Sequence, residues 1–399
     1  MNKKKVHTQK AKKKKSIKDR ARKIHLWTGL STGLIVFIMA ITGCCWVFKD
    51  EIKSFSDHYT TVKVQDKPFI TATQAKVAAQ KALPGKKIHG AVYGNKDQAI
   101  EVTFYEAKPK FYQSVFLNPY TGKVLHVEDH LSGFFAFVLR GHMYLWLPEA
   151  IGSRLTAYAT LLFLAMVITG LILWYPRNKK NRKQRFRFIW KPTTGWKRKN
   201  FDLHTVVGFY ISIFAFVFAF TGCVMAFNWF YFIAFKATGG TKDPRFVIPN
   251  SQITKKAAPK AQPIDELLPR LQAAYPKAER FELHYPTADT ASIYVEIFKT
   301  TGVYYNIDYR FYDQYTLKEL STPSLYGAYK DAVFADKVIR MNYDIHVGSI
   351  GGLPGKIIAF LASLVTASLP VTGFLMWWGR RKKKALTKDT QEKPDAVAV

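Results

Sequence analysis

Residues 24–48 read IHLWTGLSTGLIVFIMAITGCCWVF, and residues 203–227 read LHTVVGFYISIFAFVFAFTGCVMAF. Each is an apolar run introduced by one histidine, His25 or His204. A glycine follows four residues later (Gly29, Gly208), and a Thr-Gly-Cys lies near the end: Thr42-Gly43-Cys44 and Thr221-Gly222-Cys223. A second pair of apolar runs follows His142 and His346. These close on Thr169-Gly170 and Thr372-Gly373, then on Trp174 and Trp377-Trp378. The chain reads as a duplication that keeps one histidine per apolar segment. That pattern points to paired ligands for something held between helices.

The runs 25–48, 155–175, 205–235 and 355–378 are nearly free of charge. A bilayer core of ~30 Å needs about 20 helical residues, so four spans are expected. The first run is too long for a cleavable signal peptide and has no small-residue cleavage site.

The net charge of +32 raises the question of nucleic acid, but its distribution argues for membrane lipid. Residues 1–24 hold 12 Lys/Arg and one Asp, residues 177–199 hold 11 Lys/Arg and no acid, and residues 379–399 hold 7 Lys/Arg and 3 acids. Basic stretches beside membrane ends mark the cytoplasmic side and are drawn to anionic lipid. Both termini and the middle loop are then inside, and the long segments 49–153 and 236–353 are outside. No nucleic-acid partner is expected. Cys44, Cys45 and Cys223 include no Cys-x-x-Cys-His, which excludes covalent c-type haem.

Each outer segment reads as one small α+β domain. In the first, Thr71–Leu83 has helical spacing and stops at Pro84-Gly85. Strand-like stretches follow at 88–93, 99–105 and 111–117, then a turn at Asn118-Pro119-Tyr120-Thr121-Gly122 and a strand at 123–127. In the second, the helix is expected at 263–275 and strands at 281–285, 292–298 and 303–311. Asp313-Gln314-Tyr315-Thr316-Leu317 takes the place of the turn. One helix on a small sheet is marginal alone, so docking onto the bundle or onto the twin is expected.

The helix, three strands and Asn-Pro-x-Thr-Gly-Lys-Val-Leu turn resemble a PepSY domain. Two such domains between histidine-led spans resemble the PepSY-associated transmembrane-helix family of bacterial inner-membrane proteins. Ile345-His346-Val347-Gly348, Gly351-Gly352-Leu353-Pro354-Gly355-Lys356 and Thr372-Gly373-Phe374-Leu375-Met376-Trp377-Trp378 are similar to that family's last helix. The expected fold is a four-helix membrane bundle with two extracytoplasmic PepSY-like domains and an internal duplication. Its expected parts are a basic tail 1–24, spans 25–48, 154–176, 204–235 and 354–378, a basic loop 177–203 and a cytoplasmic tail 379–399. The outer segments 49–153 and 236–353 carry the PepSY-like domains at about 70–130 and 262–322. Leu317 stands where the turn glycine is expected, which leaves the function of the second domain open. The resemblance implies iron-regulated proteins and ferric-siderophore reductases that carry b-type haem.

The expected topology sorts the histidines by depth. His25 and His204 begin spans at the cytoplasmic side, and His142 and His346 lie at the outer side, on interfacial or re-entrant segments. An imidazole pair on facing helices suits a six-coordinate b-type haem, and two pairs suit two haems. Eighteen residues separate His25 from Gly43 and His204 from Gly222. That is about five helical turns, or roughly 27 Å, so ligand and glycine share a face. Gly43 and Gly222 at the outer ends, and Gly29, Gly208, Gly170 and Gly373 at the inner ends, are read as notches for a flat macrocycle. The same glycines also suit plain close packing of helices. An interfacial histidine can equally hydrogen-bond a carbonyl.

Arg154 and Lys356 stand at the outer mouth, where they would pair with haem propionates or attract an anionic ferric chelate; snorkelling is the plainer reading. His58, His89 and His284 are read as surface residues; His126 and His130, four apart, have a metal-binding spacing but are read as part of a solvated linker. No nucleotide, flavin or nicotinamide motif is present, so an electron donor binds from outside the chain, as a quinol or a cytoplasmic reductase. The expected function is outward electron transfer to a ferric siderophore or other ferric chelate in the periplasm. The competing reading is a non-enzymatic, membrane-anchored PepSY module that binds or restrains an envelope protein.

Overall fold

The computed structural model describes residues 16–176, 183–252 and 262–391. The basic stretch 1–15 with His7, loop residues 177–182 and the end 392–399 lie outside the described residues, and with them much of the charge behind the expected topology. In chain order the helices are α1 (Ile17–Val47), α2 (Lys49–Ser56), α3 (Ala72–Ala82), α4 (Gly133–Tyr144), α5 (Glu149–Trp174), α6 (Lys183–Phe186), α7 (Trp196–Asp202), α8 (Gly208–Ala226), α9 (Asn228–Ala237), α10 (Pro263–Ala274), α11 (Phe334–Arg340), α12 (Asn342–Val347) and α13 (Gly352–Gln391). The strands are β1 (Ile88–Tyr93), β2 (Ile100–Ala107), β3 (Lys110–Leu117), β4 (Val124–Asp129), β5 (Arg280–His284), β6 (Ile293–Phe298), β7 (Asp308–Tyr312) and β8 (Glu319–Leu320).

Four helical stretches are long and apolar enough to cross a membrane: Ile17–Val47, Glu149–Trp174, Trp196–Ala226 and Ser349–Arg381. No more than 33 % of any of them is buried within the molecule, so large apolar side chains such as Leu34, Ile213 and Leu361 face outward. Such a surface is stable only against lipid or another apolar body.

Three helix ends lie away from the span ends read from the sequence. The first helix begins at Ile17, eight residues before His25, with Asp19 in its first turn where the helix dipole favours an acid. The third span stops at Ala226, not 235. Phe227 is extended, and Asn228–Ala237 is a separate helix of the same aromatic composition. The last helix runs on to Gln391 through what was read as tail, since Lys and Arg are good helix formers.

The chain divides into two compact units. One lies within residues 1–37, 158–219 and 365–399, the other within 38–157 and 220–364. In the first, small residues let neighbours approach. A Cβ on Gly29 would meet Met166 Sδ at 3.3 Å, one on Gly33 would meet Pro370 at 3.5 Å, and one on Gly208 would meet Leu369 at 3.7 Å. Trp174 stacks on Phe209 with ring centres 3.7 Å apart.

The second unit holds one antiparallel sheet of eight strands in the order β4-β3-β2-β1-β5-β6-β7-β8. The two outer segments do not form separate sheets. β1 pairs with β5, Ala91 opposite Leu283 and Tyr93 opposite Phe281, so each half covers the other's open edge. α3 and α10 share one core on the same face, built on Ala75, Ala79, Val102, Leu267, Leu271, Leu283 and Val295. The Tyr285 hydroxyl, just after β5, donates to Ala72 O of α3 at 2.8 Å, and Thr73 N–H of α3 donates to Asp265 Oδ1 of α10 at 2.7 Å, tying the two helices together. α3 starts where its sequence says it should: Thr71 and Gln74 form a reciprocal capping box.

The segment 303–311 was expected as one strand, but the strand begins only at Asp308. The backbone N–H groups of Tyr304 and Tyr305 turn instead to the Asp344 carboxylate, at 3.0 and 2.6 Å.

Candidate functional site

His25 sits on α1, and His204 sits in a π-helical turn, Leu203–Val207, between α7 and α8. Their ring centres are 6.3 Å apart with planes at 82°. In the other unit, His142 lies on α4 and His346 on α12, two short helices separate from the spans that follow them. Their ring centres are also 6.3 Å apart, with planes at 72°. The structure thus brings the four histidines together as two pairs.

The same ring nitrogen is engaged each time. His25 Nδ1–H donates to Met166 O at 3.1 Å with Thr169 Oγ1 at 3.3 Å, and His142 Nδ1–H donates to Met39 O at 2.8 Å with Thr42 Oγ1 at 3.3 Å. A carbonyl only accepts, so both rings carry their proton on Nδ1. His204 Nδ1 lies 2.9 Å from Thr372 Oγ1, and His346 Nδ1 lies 2.8 Å from Thr221 Oγ1. The Thr372 hydroxyl donates to carbonyls of its own helix, Ser368 O and Leu369 O, so it accepts from the imidazole. An imidazole fixed through Nδ1–H presents Nε2 as a metal ligand.

The glycines beside these threonines lie against the histidine rings. A Cβ on Gly170 would lie 3.2 Å from His25 Cε1, one on Gly373 would lie 3.2 Å from His204 Cε1, and one on Gly43 would lie 3.4 Å from His142 Cε1. At Gly170, Gly373 and Gly43 the notch lies against an imidazole ring. The Thr-Gly dipeptide is therefore one device: threonine holds Nδ1, and glycine lets the ring lie against the helix. Gly29 and Gly208 serve helix packing. Gly222, on α8, follows Thr221 in the same dipeptide.

Two residues that the sequence reading passed over complete two of the four sites. Asn200 Nδ2 donates to Thr372 O at 3.0 Å, and Asn342 Nδ2 donates to Thr221 O at 3.1 Å. Each asparagine stands four residues before a histidine, one turn away on the same side. The signal was in the chain: Asn200-Phe-Asp-Leu-His204 and Asn342-Tyr-Asp-Ile-His346. His25 and His142 have Ala21 and Val138, both buried, at the same offset. The aspartates of the two motifs brace the local chain. Asp202 Oδ2 accepts from Trp190 Nε1 and Arg198 Nε, and Asp344 accepts from the Ser349 hydroxyl besides Tyr304 and Tyr305.

The other expected residues are placed less uniformly. Lys356 is held by Glu51 Oε1 at 2.7 Å. Arg154 is exposed on α5 without a hydrogen-bond or ion-pair partner among the described residues. His126 stacks on Tyr59, while His130 Nε2 lies 2.7 Å from the Ser114 hydroxyl, so the two are not a pair. His284 is not a surface residue; it is buried on β5.

No curated protein matches the chain significantly. The family model described as the PepSY-associated TM region matches residues 22–380, which take in all or most of every helix and strand named above. With its four apolar helices and its antiparallel sheet region, this membrane protein belongs to the PepSY-associated transmembrane region family.

Proposed function

We propose that the protein is a di-haem b electron-transfer protein of a bacterial inner membrane, passing electrons outward to a ferric chelate of the siderophore class. The observation that carries this reading is the recurrence of one ring separation, 6.3 Å, at two sites of matching chemistry. Two imidazoles bound end-on through Nε2 to one iron, with metal–nitrogen bonds of about 2 Å, have ring centres roughly 6 Å apart. The donor set fits: His25 and His204 would hold one haem, His142 and His346 the other. A haem with two imidazole ligands supplies reversible one-electron transfer. The chain orients the imidazoles through the threonines, keeps the Nδ1 protons in place, and surrounds the pairs with apolar helices.

The basic stretches support cytoplasmic termini and a cytoplasmic middle loop, with the sheet region in the periplasm. The matching element order of the sheet's two halves, helix then four strands, supports a duplicated pair of PepSY-like domains. The electron donor is a quinol or a cytoplasmic reductase. The test uses spheroplasts supplied with an external ferric chelate. Replacing His142 and His346 by Ala should abolish reduction of the chelate, while the haem of the other pair stays reducible from within. Undiminished reduction would contradict the proposal. A haem-free protein from haem-replete cells would favour a membrane-anchored module that binds an envelope protein.

A further inference from the structure

The sheet carries, on the face away from α3 and α10, a buried histidine whose ring nitrogens meet the geometric criteria for no hydrogen bond among the described residues. His284 on β5 is 4 % exposed, and neither Nδ1 nor Nε2 has a hydrogen-bond partner among the described residues. Buried polar groups are normally satisfied, and an unpartnered imidazole costs free energy. Its surroundings are rich in ligand atoms. Glu282 Oε1, two residues earlier on the same strand face, lies 3.5 Å from Nε2, and Glu296 Oε1 from β6 lies 3.8 Å away. His89 stands with its ring centre 4.8 Å from that of His284. One donor atom each from His89, Glu282 and His284 lies within 4.8 Å of the others. Tyr294 stacks on the His284 ring at 3.7 Å and fixes its plane.

β1 opens this place on one side. Its register with β2 shifts between Ile88 and Gly90, so a bulge falls at His89. Bulges re-aim a side chain. Gly90 pairs with His284, and a Cβ there would come within 3.2 Å of Nδ1. Glycine keeps that volume clear, and the exposed His89 connects it to solvent.

We propose that His89, Glu282 and His284 bind one divalent first-row transition-metal ion of the Zn2+ or Fe2+ kind, bridging the two halves of the sheet at the β1–β5 seam. Two imidazoles and a carboxylate are a donor set for such ions. Bonds of about 2.1 Å to a tetrahedral centre put donors roughly 3.4 Å apart. The His284–Glu282 separation of 3.5 Å already meets that, and His89 closes the rest from the exposed side. Glu296 adds a second carboxylate, with Oε1 3.8 Å from His284 Nε2. The site takes no residue from the histidine pairs and does not rest on the haem reading.

The test is Zn2+ binding by the full-length, detergent-purified chain after chelator treatment, followed by calorimetry and by metal analysis after buffer exchange. One Zn2+ per chain is expected, with affinity reduced at least tenfold in His89→Ala and in Glu282→Gln. Zn2+ should raise the unfolding temperature of the parent chain and leave that of His89→Ala where it is. His89 is exposed and Glu282→Gln keeps shape, so both variants should melt like the parent without metal. Binding that is absent in the parent, or equal in parent and variants, overturns the proposal. Haem content measured on the same samples reports separately on the histidine pairs.

Discussion

Each of the four histidines has a threonine hydroxyl within 3.3 Å of Nδ1, and at Gly170, Gly373 and Gly43 the next residue makes room for the ring. Removing the hydroxyl from Thr372 by substitution with Val keeps the shape and leaves His204 without its acceptor. A single hydrogen bond is worth about 1 kcal/mol net. A partner that orients a metal ligand is worth about 10- to 100-fold in affinity. Haem retention at the His25–His204 site should fall by that factor, and Asn200→Ala should weaken it less, because it acts through Thr372. Haem titration of the two variants checks the order. Gly43→Leu should disturb the site of His142, whose Cε1 lies against it, and spare that of His25, although α1 carries both residues. Spectra of single-haem variants decide this; a change confined to the His25–His204 haem would contradict it.

Leu317 gives a second residue-scale result. It takes the place of Gly122 and adopts the same left-handed backbone, φ +55° against +70°. The two turns are otherwise matched: Asn118 Oδ1 accepts from Tyr120 N–H and Thr121 N–H, and Asp313 Oδ1 accepts from Tyr315 N–H and Thr316 N–H. A left-handed leucine costs about 1–2 kcal/mol. Emptying a buried leucine site costs about 2–5 kcal/mol, and the Leu317 side chain is in the shared core. Leu317→Gly should therefore destabilise the turn by roughly 1–3 kcal/mol, read as faster hydrogen exchange over 313–320.

At the scale of elements, the four spans were legible because a long uncharged run has few other fates in water. The end of the third was not. Residues 228–235 are as apolar and aromatic as the span itself, and only the extended Phe227 separates them. The helices of the sheet region were legible from capping and spacing to within a residue or two. The β1–β5 pairing was not, since nothing local specifies a partner nearly two hundred residues away. The π turn at His204 was equally hidden. Such turns recur at functional sites. The Asn-x-x-x-His repeat was readable but needed the Thr372 and Thr221 carbonyls to give it meaning. The fused sheet makes its own prediction. Ala91→Cys with Leu283→Cys, in a chain with Cys44, Cys45 and Cys223 replaced, should form a disulfide on mild oxidation, detected by mass spectrometry. A failure to cross-link while the chain remains folded would contradict the eight-stranded sheet.

For the whole molecule, the account rests on two histidine pairs of matching ring separation. His25→Ala and His204→Ala should remove the same haem, and His142→Ala and His346→Ala the other, with little added loss when both members of a pair are replaced. Loss of one common haem from His25→Ala and His142→Ala would break the pairing. The most direct measurement is the visible spectrum and haem count of the purified, dithionite-reduced protein from haem-replete cells. The account predicts low-spin b-type bands and about two haems per chain. A colourless protein, or one whose haem survives replacement of all four histidines, would contradict it.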